Sequence, residues 1–339
     1  MATVGTHRES AGGNGLRSRL RDVLDLLLRY NFIVIFFAMV AIATSLSSDF
    51  LTFTNVSNLF QQAAVVGIVA VGMTFVVLTG NIDLSVGSMT ALAGVVVALL
   101  LSRGVPWGAA VLATLLVGVF GGALMGAITA FARVPSFIVT LAGLVSLRGI
   151  TYIISQGTPI GNLPLVFDKI GSSLVPVFSG FAFPTMGIAF IAICVVAAIF
   201  LRYTTFGEYI YATGGNAEAA RLSGLPTKLV VTVVFAISGM LAALGGVLLT
   251  SRLTIGQPTA AQGLELDAIA AVVLGGTSLF GGRGGVLGTF FAVMLLQVLR
   301  NIFNLLGLGS FYQMTVTGVI IIAAILLNRL IDHYAGREK

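Results

Sequence analysis

Charge is what this 339-residue chain has least of. Asp, Glu, Lys and Arg make up 9% of it, against about 25% in an ordinary soluble domain. Cysteine is nearly absent. The single one, Cys194, lies in an apolar run, which excludes a disulfide framework and a Cys-based metal site and reads as a small buried apolar residue. None of the lysines Lys169, Lys228 and Lys339 is preceded by Gly and followed by Ser or Thr. The Gly-Lys-[Ser/Thr] loop that cradles nucleotide phosphates is missing, so the chain is not itself a P-loop ATPase. The two histidines, His7 and His333, sit near the ends of the sequence. No Ser/His/Asp, Cys/His or His-Glu-x-x-His constellation forms, and no catalysis by this chain is expected. Asp83, Glu265 and Asp267 stand at the ends of apolar runs and not within them. That placement disfavours a carrier driven by an intramembrane proton relay.

The chain is instead rich in apolar residues, 57% of the total, with a mean hydropathy of +1.06. Such a composition specifies an all-α polytopic membrane protein. Runs near 20 apolar residues predict about ten transmembrane helices: 31–47, 59–80, 84–101, 107–131, 137–156, 183–201, 229–250, 266–280, 286–305 and 311–328. The eighth is short for a full crossing and reads as re-entrant or broken. Residues 1–30 form a Gly/Ser/Arg-rich tail, 31–328 a single transmembrane domain, and 329–339 a second tail. No small-residue cleavage site follows the first run, which is read as a retained span.

Ten crossings place both termini on one side, and basic residues name the side. With the termini inside, thirteen Lys and Arg fall on inner segments. Only Arg103, Lys169 and Arg252 fall outside, while Arg148 and Arg300 lie within spans. The positive-inside rule then makes both tails and the 202–228 loop cytosolic. The net charge of +6 is that topological asymmetry and not a nucleic-acid footprint. The outer loop 157–182, with Pro159, Pro164 and Pro176, is expected to be irregular. One lead span plus four, ending at 156, is followed by a second set of one plus four, 183–201 and then the four spans from 229 to 328. A five-span offset reverses orientation, the arithmetic of two inverted-repeat halves. Gly122 and Gly126 form a small-xxx-small pair suited to close helix approach.

The 202–228 loop carries a short helix with complete punctuation, predicted over 217–223. Asn216 caps its start and Glu218 lies in the positive first turn. Arg221 lies near the negative end, Gly224 suits the left-handed position after the helix, and Pro226 prevents continuation. A capped rod of about 10 Å is either an ordinary loop helix or a docking knob that receives force from a cytosolic partner. Two polar breaks accompany it. Around Asn81, Asp83 and Ser85, a capped start for the third span competes with a gate or partner contact. Around Gly275 and Gly276, a tight turn competes with an unwound segment. Within the spans, Gln297, Asn301 and Asn304 share one face of the ninth, and Gln313 and Thr317 one face of the tenth. These groups suit either a wet path for a hydroxylated, uncharged ligand or hydrogen bonding between helices. Arg148, inside a span, either snorkels outward or pairs with a backbone carbonyl.

Three stretches carry a family likeness: VGMTFVVLTGNIDLSVGS at 71–88, ATGGNAEAARLSGL at 212–225 and DAIAAVVLGGTSLFGGRGGVLGT at 267–289. In this order they resemble the permease subunit of ribose-type ABC importers, which take up ribose, xylose, arabinose and related sugars. The resemblance implies a type II ABC importer-like permease in the cytoplasmic membrane. A second, identical permease would pair with it, a cytosolic ABC ATPase would hold the ATP and Mg²⁺, and an extracytoplasmic binding protein would deliver the sugar. It assigns Gly215, Asn216, Glu218, Ala219, Arg221 and Gly224 to contact with the ATPase. The nearest alternatives are a branched-chain amino-acid permease of the same fold, a stand-alone secondary transporter and a non-transporting scaffold.

Overall fold

The computed structural model describes residues 31–178, 181–309 and scattered positions from 311 to 322. The tails 1–30 and 329–339 and Thr317 lie outside the described residues, as does most of the predicted tenth span. The chain is mostly helical. Its helices are α1 (Asn31–Leu46), α2 (Phe53–Leu78), α3 (Val86–Ser102), α4 (Trp107–Phe131), α5 (Ser136–Ser155) and α6 (Leu165–Ser172), then α7 (Thr185–Tyr203), α8 (Thr205–Gly215), α9 (Ala217–Leu222), α10 (Thr227–Leu253), α11 (Leu264–Leu274) and α12 (Val286–Leu305). Strands β1 (Leu174–Phe178) and β2 (Phe181–Pro184) separate α6 from α7.

Proline sets many of these boundaries. Pro106, Pro135, Pro164, Pro184 and Pro226 stand immediately before α4, α5, α6, α7 and α10. A fixed φ and a missing N–H cost nothing there, because the first amides of a helix have no partner within it. Among the described residues six helices, α2, α4, α5, α7, α10 and α12, are long and apolar enough to cross a bilayer. The first and third runs form shorter apolar helices. The eighth run forms only the 11 residues of α11, about 16 Å of helix, too short to span.

Helices α2, α10 and α12 are largely buried, while α4, α5 and α7 turn broad apolar faces outward. The closest packing is α4 on α10. Gly118, Gly122 and Gly126 of α4 lie against Phe235 and Gly239 of α10, where a Cβ would fall on main-chain atoms. The pair expected at Gly122 and Gly126 is thus part of a three-glycine ridge, and its partner surface has its own glycine. The same small-residue logic joins Gly94 of α3 to Gly246 and Thr250 of α10.

The segment 157–182 departs from expectation. It holds α6 and an antiparallel hairpin in which Leu174 pairs with Pro184 and Val175 with Phe183, so the fold is not purely helical. Pro164 lies just before α6, and Pro176 lies in a two-stranded ribbon whose outer edge needs no donor. Ser251 of α10 fastens the segment. Its hydroxyl donates to the Phe167 carbonyl (2.5 Å) and accepts from the Gly171 amide (2.7 Å).

Candidate functional site

The predicted short helix exists and is one residue shorter than expected: Ser223 is its C-cap, not its last turn. The Asn216 side chain accepts from the Ala219 amide at 2.9 Å, and Gly224 takes the left-handed conformation at φ 86°. Glu218 and Arg221 form a bidentate pair, with contacts of 3.1 and 2.6 Å, on the exposed face. Hydrogen bonding and charge from Arg221 hold the Glu218 carboxyl below its ordinary range. One element here was not anticipated. Helix α8 leads directly into α9, its start capped by the Thr204 hydroxyl accepting from Gly207 N–H at 3.1 Å. Asn216, in extended backbone, both ends α8 and begins α9.

The three motif stretches, up to about 200 residues apart in sequence, meet beside this joint. Gly282 N–H donates to the Leu78 carbonyl at 2.9 Å. A Cβ on Gly281 would lie 2.7 Å from Gly80 N and 2.8 Å from Gly214 O, and one on Gly282 would lie 2.8 Å from Gly215 Cα. A Cβ on Gly214 would fall on the Leu78 carbonyl. Gly80, Gly281 and Gly282 also have positive φ, so glycine is required here by both space and conformation. Gly215 itself faces open space.

From this joint the first break leads into the bundle. Asn81 donates to the Thr79 carbonyl and hydroxyl. The buried Asp83 carboxylate accepts from Ser85 N–H (3.0 Å), Ser85 O–H (2.6 Å) and Ser238 O–H (2.9 Å). Ser238 lies eleven residues into α10, about 16 Å from its start. Asp83 is therefore at a helix end in sequence but deep among helices in space. The Ser85 hydroxyl does not cap α3; it donates to Asp83 instead.

Helix α11 begins beside α3. A Cβ on Gly87 would meet the Glu265 carboxylate and the Ala261 carbonyl. The starts of these two helices therefore lie side by side. Arg148 of α5 holds the irregular segment before α11, donating to the carbonyls of Pro258 (2.9 Å) and Ala260 (2.8 Å). Backbone pairing is thus the option realised for Arg148. Arg300 of α12 pairs with Asp267 of α11 at 2.6 Å. This link went unread in the sequence, although an arginine inside an apolar run is a signal in itself. Gly275 and Gly276 end α11. Gly275 packs on Gly288 of α12, and Gly276 has φ 80°.

The amides predicted to share a face are mostly committed to helix contacts. Gln297 donates to Gln62 at 3.1 Å, and Asn301 and Asn55 exchange two hydrogen bonds of 2.8 and 2.9 Å across α12 and α2. Gln297 and Asn301 are buried. Asn304 is exposed and accepts from Gln313 at 2.8 Å. Among the described residues, no group of His, Cys, Asp and Glu is placed to hold a metal ion.

Comparison with known proteins agrees in kind. Ribose import permease protein RbsC of Escherichia coli (strain K12) is 43% identical over 311 residues, covering 89% of this chain and 94% of that one. RbsC of Bacillus subtilis (strain 168) is 42% identical over 297 residues, covering 86% and 90%. The xylose transport system permease protein XylH of Escherichia coli (strain K12) is 35% identical over 376 aligned positions, covering 94% of each. No solved structure matches the chain. Residues 55–325, from the start of α2 to beyond α12, match the family model described as branched-chain amino acid transport system / permease component, and the chain belongs to that family of transport permeases.

Proposed function

We propose that this chain is the transmembrane subunit of an ATP-driven importer that carries a monosaccharide of the ribose type across the cytoplasmic membrane. The observation that carries the proposal is the likeness to ribose import permeases at 42–43% identity over most of the chain. Energy comes from a separate cytosolic ABC ATPase, which holds the ATP and Mg²⁺, and substrate comes from an extracytoplasmic binding protein. Two copies of the chain line a central path. Both termini are cytosolic, and the crossings number about ten once α1, α3, the 254–274 segment formed by an irregular stretch and α11 together, and the apolar run 311–328 are counted with the six long helices.

The inverted-repeat reading is supported by a recurring unit. A long helix, an irregular polar segment and a short helix occur as α2, 79–85 and α3, and again as α10, 254–263 and α11; the long helices run antiparallel, with Gly72 against Ser238 and Gly245 against Val69. Irregular backbone at such depth is tolerated where protein buries it, and such breaks mark the moving parts of many transporters. Helix α9 is the element on which the ATPase pushes. It is short, capped and joined through glycine backbones to both breaks, so a displacement reaches them without being absorbed by side chains. Gln297, Asn301, Asn304, Gln313 and Thr317 are the residues assigned to the sugar path.

A second reading, import of branched-chain amino acids, is favoured by the description of the family model. Uptake assays separate the two. Vesicles containing the permease, its ATPase and its binding protein should accumulate labelled ribose or a related sugar when ATP is supplied. Accumulation of labelled leucine and not of sugar would overturn the sugar assignment.

A further inference from the structure

The most exposed large apolar side chain among the described residues is Phe280, at 93%. It stands at the tip of the loop joining α11 to α12, a place where an unsupported segment of this composition would be slack. This loop is held from several sides. Ser278 N–H donates to the Arg283 carbonyl (2.9 Å), and Gly281 N–H to the Ser278 carbonyl (3.0 Å). Phe280 N–H reaches the Ser278 hydroxyl (3.2 Å), and the Gly285 amide reaches the Thr277 hydroxyl (3.3 Å). The Tyr211 hydroxyl of α8 donates to the Gly284 carbonyl at 3.0 Å. Gly281 and Gly282 rest on Gly214 and Gly215, two and one residues before the Asn216 cap of α9. The loop is thus packed, main chain on main chain, against the last two residues of α8, directly before α9 begins.

We propose that this loop is a second contact for the cytosolic ATPase, with the Phe280 ring as an apolar anchor seated in a pocket of that partner. The proposal rests on the reading that α9 receives the ATPase. Together the two elements have the anatomy of a recognition patch. Phe280 and Leu222, the latter 74% exposed, are apolar knobs, and Glu218, Arg221 and the exposed Arg283 are polar surroundings. Aromatic and arginine residues dominate the energetics of such patches when their backbone is already ordered. The rival occupant is lipid. It fits less well, because Trp and Tyr are the aromatics enriched at membrane interfaces, and Phe280 shares its loop with the exposed Arg283 three residues on. Two contacts on one rigid unit also turn a push on α9 into a tilt of the loop, and through it of α11 and α12.

Binding of the purified ATPase to the full-length permease in nanodiscs tests this, comparing wild type, Phe280→Ser and Glu218→Arg. Phe280→Ser should weaken binding at least tenfold; the ring is exposed, so folding is unaffected. If Glu218→Arg weakens binding and Phe280→Ser does not, the loop contact is refuted while the α9 reading stands. If neither has an effect, both fall together. A second variant, Phe280→Trp with the only native tryptophan, Trp107, changed to Phe, gives a direct probe. A blue shift of its emission on adding the ATPase, without quenching by brominated lipid beforehand, supports the contact. Quenching by brominated lipid that the ATPase does not relieve assigns the ring to the membrane and overturns the proposal.

Discussion

Glu218 illustrates what a single side chain contributes at the α9 surface. Its carboxyl is held below the ordinary glutamate value by Arg221. A group whose folded pKa is depressed stabilises the folded state above its unfolded value, about 4.3, and loses that effect as the pH falls through the lower folded value. The Glu218–Arg221 pair should therefore be intact throughout the neutral range. ATPase binding by the wild type should be flat from about pH 6 to 8 in any component due to this residue. A titration step in that range that disappears in Glu218→Gln would contradict the assignment. The caps of α9 were legible because Asn216, Gly224 and Pro226 act on backbone within three residues of themselves. The partner of Asp83 was not. Ser238 lies 155 positions away, and nothing in the local sequence points to a serine on α10 and not to solvent. The same holds for Asn301, whose partner Asn55 is 246 positions distant.

Among elements, two contacts lend themselves to measurement. Gly122→Ala would drive a Cβ into the Phe235 carbonyl at the α4–α10 crossing and should destabilise the bundle by about 1–3 kcal/mol, the usual scale of overpacking. Gly149→Ala, on the neighbouring α5 with nothing within 4 Å of the added carbon, should be silent. Thermal unfolding in detergent compares them, and equal midpoints would show that α4 and α10 separate at no cost. Asn301→Leu removes both hydrogen bonds to Asn55. A loss of about 0.6–1.7 kcal/mol is expected for such a contact in a membrane bundle, with reduced sugar uptake and unchanged ATPase binding. Normal uptake in that variant would remove the amide face from the transport path. Runs of apolar residues placed the long helices to within three residues except at the start of α2, which begins six residues before the predicted 59 because its first turns are mostly polar, Thr54 to Asn58. Helix α8 and the β1–β2 hairpin escaped notice because their signals are weak: one threonine cap, and prolines that argue for loop as readily as for strand edge.

For the whole molecule, the absence of a nucleotide loop leads to a plain expectation. The chain reconstituted alone should not accumulate any solute against a gradient, with or without an ion gradient, whereas the assembled importer with ATP should. Uphill uptake by the isolated chain would identify a secondary transporter instead. Composition alone determined that this is a helical membrane protein, because a chain with 9% charged and 57% hydrophobic residues has its lowest free energy with its apolar runs in lipid. Local punctuation determined α9. Only the tertiary structure decided that the three glycine motifs form one joint, that Asp83 reaches the middle of α10, and that α3 and α11 start side by side inside the bundle. Each of these depends on packing between segments tens to hundreds of residues apart. Glycine records in sequence that a close approach is possible, and only the folded backbone says what approaches.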